Sequence, residues 1–224
     1  MSHSHLPQSP SSGGPERTSP AAFLGDGLLL LLLLVSVTAF CVQTYGLDAE
    51  PSVLWILCPA CGICSLVLWS FLRGLKAITL LLGALALLLA AALYQGWELF
   101  SFGALLQYQT AAEQLTEAVG FPGFFQLPVS LPPAEPQLAF RWFWGISLPL
   151  YALILGWAVV RLRSCWLSLA LTLMWFLPAF LAELPFSWLW VAAAAGCWMA
   201  LFLSTLMGRS SSTGGGKLRL ASLP

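Results

Sequence analysis

The sequence predicts an all-α, polytopic integral membrane protein with six transmembrane helices and one outer amphipathic helix. Three observations carry this. Six apolar runs each approach the roughly 20 residues that a helix needs to cross about 30 Å of hydrocarbon. Only 8% of residues are charged, against roughly 25% in ordinary soluble domains. Eight of the nine basic residues fall on one side once the runs are drawn as spans.

The runs cover 24–45, 53–72, 78–97, 138–160, 165–181 and 186–207. Leu28 to Val35 and Leu80 to Leu93 are apolar all round. A surface helix of a globular protein would instead pair an apolar stripe with a polar face. Residues 1–22, rich in Ser, Pro and Gly, form an expected disordered tail with too little apolar surface to fold. His3 and His5 stand there without the further ligands of a metal site, and no metal or other cofactor is expected. The first run is longer than a signal h-region, and Phe40 is too bulky for lipoprotein cleavage before Cys41 in Thr38-Ala39-Phe40-Cys41, so helix 1 reads as a retained anchor.

Basic residues set the orientation. Arg17 precedes helix 1, Arg73 and Lys76 join helices 2 and 3, and Arg161 and Arg163 join helices 4 and 5. Arg209, Lys217 and Arg219 follow helix 6 in a flexible basic tail over 209–224. Only Arg141 lies on the other side. Positive residues stay cytoplasmic, which places both termini inside a plasma membrane. Glu16 and Asp26 are the acids on the inner side, and the other seven are outer. A net charge of zero thus hides +6 inside and −6 outside.

Short links predict antiparallel contact between helices 2 and 3, 4 and 5, and 5 and 6. The long outer link between helices 3 and 4 begins with an amphipathic segment, 99–119, that lies on the membrane surface or caps the bundle. Leu105, Tyr108, Ala112, Leu115 and Val119 mark its apolar face, with Gln107, Glu113, Gln114 and Glu117 turned elsewhere. Gly120-Phe121-Pro122-Gly123 and four further prolines then end regular structure. Pro149 and Pro178 predict kinks in helices 4 and 5.

Chemistry is sparse. Cys58-Pro59-Ala60-Cys61-Gly62-Ile63-Cys64 holds two overlapping C-x-x-C spacings near the outer end of helix 2. Cys58 and Cys61 are the redox candidates, but a membrane thiol oxidoreductase also needs a second pair to relay electrons. The competing reading, which we favour, makes Cys58, Ala60, Cys61, Gly62, Cys64 and Ser65 a small-residue face for close helix packing. Intramembrane serine proteolysis lacks a histidine within the spans. Aspartyl chemistry and proton-coupled transport lack intramembrane carboxylates. A small transporter or channel component would need a polar cavity built from Ser36, Thr38, Gln43, Ser65, Thr79, Gln95, Ser147, Tyr151, Ser168 and Thr172.

The layout has a family likeness. Three leading helices, an outer segment ending in Gly120-Phe121-Pro122, three further helices with the basic turn Arg161-Leu162-Arg163, and a polar tail resemble the N-terminal membrane region of bacterial transglutaminase-like membrane proteins. That family carries a papain-like Cys-His-Asp domain later in the chain, whereas no histidine here follows His5. The resemblance therefore implies the membrane part alone, a noncatalytic anchoring or assembly module. The partners expected are the lipid bilayer and another membrane or cell-envelope protein, with no nucleic acid.

Overall fold

The computed structural model describes residues 20–71, 75–120 and 136–213, all of whose regular structure is helical. The expected disorder of the N-terminal tail, the basic turn at 72–74, the proline-rich return over 121–135 and the end of the C-terminal tail lie outside the described residues. Among the described residues, four helical stretches are long and apolar enough to cross a membrane: Phe23–Thr44, Val53–Ser70, Pro136–Arg161 and Trp188–Leu206. Cys165–Leu181 is apolar but shorter.

Helix α1, Pro20–Thr44, starts four residues earlier than the apolar run predicts. Proline suits a helix start because the N–H it lacks would have no partner there. Its leucine run supplies Leu30, Leu33, Leu34, Val37 and Phe40 to the core, all buried. α1 is the central helix, packing on α2 (Cys58–Phe71), on α6 (Trp188–Thr213) and on α5 (Cys165–Leu181). A π-helical turn, Val53–Leu57, leads into α2, and a second, Trp157–Arg161, ends α4 (Pro136–Gly156). At the seam of α1, α5 and α6 the Phe40 ring lies 4.3 Å from that of Phe176, and Phe176 meets Trp198 edge-on at 6.0 Å.

The packing face of α2 follows helical spacing: Cys58, Gly62, Ser65, Leu66 and Trp69. Ala60 and Cys64, expected on this face, are exposed, because positions two and six residues on from Cys58 point around the helix. Where α2 crosses α4, a Cβ on Gly156 would occupy the place of the Ser65 hydroxyl. That hydroxyl donates to the Ala152 carbonyl at 2.7 Å, and the Trp69 indole donates to the Leu153 carbonyl at 3.0 Å.

Helix α3, Leu75–Val119, joins the expected span over 78–97 and the expected amphipathic segment 99–119 into one element. A bend at Gly96 (φ −116°, ψ 15°) separates its two arms. Among the described residues α3 packs chiefly on α4. The second arm crosses the first turns of α4 so closely that a Cβ on Gly103 would strike the Ala139 carbonyl oxygen. α4 meets α5 through the π-helical turn at its end.

Two ion pairs sit at opposite ends of α1. Asp26, in its second turn, accepts from Arg163 at 2.7 Å. Glu50, beyond its far end, accepts from Arg141 at 2.8 Å. Each pair joins residues that the charge pattern assigns to the same side. Ser164 caps α5 by accepting from the Leu167 amide, and Glu183 takes a left-handed φ of 52° in the turn to α6.

Candidate functional site

A concave surface lies at the Glu50–Arg141 end, beside the segment that leaves α1. Gly46 turns the chain with a left-handed φ of 61°, a conformation glycine adopts without a Cβ penalty. The turn presents the Asp48 carbonyl to two donors, Gln107 Nε2 from α3 at 2.7 Å and Trp144 Nε1 from α4 at 2.9 Å. One carbonyl oxygen thus ties α3, α4 and the end of α1 together. Beside it, the hydrogen bond from the Arg141 guanidinium holds the Glu50 carboxyl below its ordinary value.

Between the second arm of α3, the end of α1, α4 and α5 lies a cleft of about 380 Å³. Ala104, Ala111 and Ala112 keep the α3 wall low, while Phe143, Trp175 and Pro178 form the other walls. A smaller cavity of about 90 Å³ shares Leu47, Phe143 and Trp175 and runs on toward Thr38, Ser147 and Tyr151. Both linings are apolar apart from a few hydroxyl and amide groups. Gln107 is 3% exposed, and its Oε1 has no hydrogen-bond partner. Tyr45 donates to the Trp175 carbonyl at 2.6 Å. Pro178 has no N–H to give the Met174 carbonyl one turn before it.

The arm corrects the expected amphipathic face. Gln107, expected outward, is buried, whereas Tyr108 and Val119, expected inward, are exposed at 43% and 44%. Phe102, Gly103, Gln107 and Ala112 form the inward face, and Glu113 and Glu117 are exposed as predicted. The physical reason is the Asp48 carbonyl, which gives a buried amide the partner it needs.

The redox candidates lie inside the bundle. Cys58 is buried with its Sγ 3.8 Å from the Thr38 hydroxyl, Cys61 is half-buried, and all six cysteines are free thiols. Of the residues proposed for a polar cavity, Thr38, Ser147 and Tyr151 come together at the smaller, mostly apolar cavity, and the others are dispersed over separate bonds. Ser36 and Thr38 donate to carbonyls of their own helix, as do Ser168 and Thr172. Ser65 bonds α4, Tyr151 points to the Leu171 carbonyl at 3.4 Å, and Gln43 accepts from the Trp190 indole at 2.8 Å. Gln95 is exposed, Ser147 lines the smaller cavity, and the side chain of Thr79 lies outside those described. Among the described residues no group of three or more His, Cys, Asp or Glu side chains is placed to hold a metal.

No family model, curated protein or solved structure matches the chain.

Proposed function

We propose that this chain is a noncatalytic, multi-pass membrane module that anchors or assembles an associated protein, and that it is the membrane part of a larger transglutaminase-like system. In this reading the first arm of α3 and the short helix α5 join the four long apolar helices as spans. Six crossings then put both termini on the basic, cytoplasmic side of a bacterial-type plasma membrane. The second arm of α3 covers the outer end.

The observation that supports this best is where five of the six buried Ser and Thr hydroxyls among the described residues spend their bonds, Thr44 Oγ1 having no partner. Ser36, Thr38, Ser168 and Thr172 return to carbonyls of their own helices, and Ser65 binds the neighbouring helix. A transport path needs polar groups converging on a shared wet space. Here they serve helix geometry and packing instead. Large apolar side chains such as Leu28, Ile63, Leu189 and Met199 face outward, as lipid contact requires.

The test reconstitutes the full chain in sealed vesicles and treats intact cells with a membrane-impermeant maleimide. The expected results are solute and ion leak equal to that of empty vesicles, and no labelling of Cys58 or Cys61 with or without prior reduction. Flux above the empty-vesicle rate would replace this reading with a transporter. Labelling that appears only after reduction, and disappears in Cys58→Ala and Cys61→Ala variants, would replace it with a thiol oxidoreductase.

A further inference from the structure

A pocket of about 150 Å³ lies at the Asp26–Arg163 end of α1, the end away from the Glu50–Arg141 pair. Phe23, Trp69 and Val160 give it apolar walls, and Asp26, Arg161 and Arg163 give it charge. Arg163 is committed: it stands at a left-handed φ of 46° and donates to Asp26 Oδ2 at 2.7 Å. Arg161 is exposed and makes no ion pair or side-chain hydrogen bond with any described residue. Two guanidinium groups against one carboxylate leave the lining with a net charge of +1.

That charge lies where the backbone alone would repel an anion. α2 ends at Phe71 and the second π-helical turn at Arg161, and both ends border the pocket. A helix C-terminus carries about half a negative charge, so an anion here depends on the guanidinium groups that offset it. The volume is below the roughly 300–1,000 Å³ of sites that enclose a whole ligand. The pocket therefore admits a headgroup and leaves the rest of the ligand outside. The neighbouring surface is apolar: Leu24, next to Phe23, is 69% exposed, and Trp157, one turn before Arg161, is 40% exposed. Such side chains suit acyl chains. We propose that this pocket binds the headgroup of one anionic glycerophospholipid of the phosphatidylglycerol kind. Its phosphodiester accepts from Arg161, and its glycerol hydroxyls donate to the Asp26 carboxylate. Basic pockets between membrane helices on the cytoplasmic side suit such lipids. Phosphatidylcholine offers the same phosphodiester, but its choline has no hydroxyl or N–H donor for Asp26 and its zwitterion leaves the lining charge unbalanced. The site rests on the membrane reading of the chain, and on neither the anchoring role nor the number of crossings.

The experiment melts the full chain in dodecyl maltoside with dioctanoyl phosphatidylglycerol, dioctanoyl phosphatidylcholine or inorganic phosphate. A ligand that binds only the folded state raises the melting temperature with its concentration. Phosphatidylglycerol should reach a given shift at about one-tenth of the concentration that phosphatidylcholine needs, the ratio that corresponds to about 1.4 kcal/mol. Inorganic phosphate, which has no acyl chains, should give no shift in the same range. Arg161→Gln should bring the two lipids level. Arg141→Gln, which removes the same charge at the opposite end of α1, should keep the ratio, and the melting transition itself reports that each variant folds. Equal shifts by the two lipids on the unmodified chain overturn the proposal, whatever the variants do. A ratio retained in Arg161→Gln also overturns it, because the preference would then belong to charge elsewhere. A phosphate shift matching that of phosphatidylglycerol would assign the pocket to a free anion and overturn the lipid. Detergent solution has no sealed interior and no sides, so each of these results leaves the vesicle and maleimide test of the anchoring reading untouched.

Discussion

At the scale of single residues, the Asp48 carbonyl is the most consequential atom at its end of the bundle. It accepts from both Gln107 and Trp144, so loss of one donor leaves the oxygen satisfied by the other. Gln107→Leu and Trp144→Phe should each cost about 1 kcal/mol. The double variant should cost more than their sum, with a coupling of about 0.5–3 kcal/mol read from a double-mutant cycle of unfolding free energies. Additive losses would show that the two donors act separately. The Glu50–Arg141 pair makes a pH prediction. Its carboxyl is held below the ordinary value of 4.5, chiefly by the Arg141 hydrogen bond. A depressed carboxylate contributes stability above its unfolded value and loses it as pH falls through the folded one. The difference in melting temperature between the unmodified chain and Glu50→Gln should therefore be constant at neutral pH. It should vanish as the solution is acidified below about 4.5. Both side chains are exposed, so the difference should be small and reduced further by salt.

At the scale of elements, two glycines and one turn separate packing from propensity. Gly103→Ala places a methyl group against the Ala139 backbone oxygen, which cannot rotate away. The expected loss is about 1–3 kcal/mol, the usual cost of overpacking, and the second arm should become more accessible to protease. Gly196 in α6 has no atom near the added methyl, so Gly196→Ala should instead gain up to about 1 kcal/mol in helix propensity. Both substitutions have the same propensity term, and the difference between them measures the contact of α3 with α4. Glu183 occupies a left-handed position at the end of α5 that glycine fills at lower steric cost. Glu183→Gly should raise stability by about 1 kcal/mol, measured by thermal unfolding.

At the scale of the whole molecule, the proposed orientation rests on the distribution of basic residues, and the two ion pairs stand at opposite ends of α1. Asp26 meets Arg163 at one end of α1, and Glu50 meets Arg141 at the other. Replacing Arg161 and Arg163 together by Gln removes both charges of one connection and breaks the Asp26 pair. Orientation follows the Lys and Arg bias of short loops, so this variant should insert as a mixture of orientations. Glycosylation acceptor sites placed in the 46–52 link and after residue 213 measure the two populations. A single unchanged orientation would assign control to the remaining basic residues.

Much of the architecture was legible in residue order because bilayer burial is a local requirement. A run of apolar residues predicts a long helix without reference to its neighbours, and Phe23–Thr44 and Trp188–Leu206 form helices long and apolar enough to cross a membrane. The small residues Cys58, Gly62 and Ser65 likewise fall on a contact face because helical spacing is local. Gln107 carried no such signal. An amide in an amphipathic pattern reads as solvent-facing, and its burial depends on a carbonyl 59 positions away in sequence. The cleft is equally nonlocal, since its walls come from three helices and the segment after α1, which sequence spacing does not align.

The sequence alone thus determined an all-helical, membrane-suited chain, its approximate helix limits and the separation of its charges, because these depend on composition and on period along one segment. Only the tertiary structure decided that α3 bends at Gly96 and lays its second arm over α4, that Gln107 turns inward with its oxygen unmatched, and that an apolar cleft forms beside it. These depend on which distant backbone groups meet, and hydrogen-bond satisfaction between separate elements has no period to read along the chain.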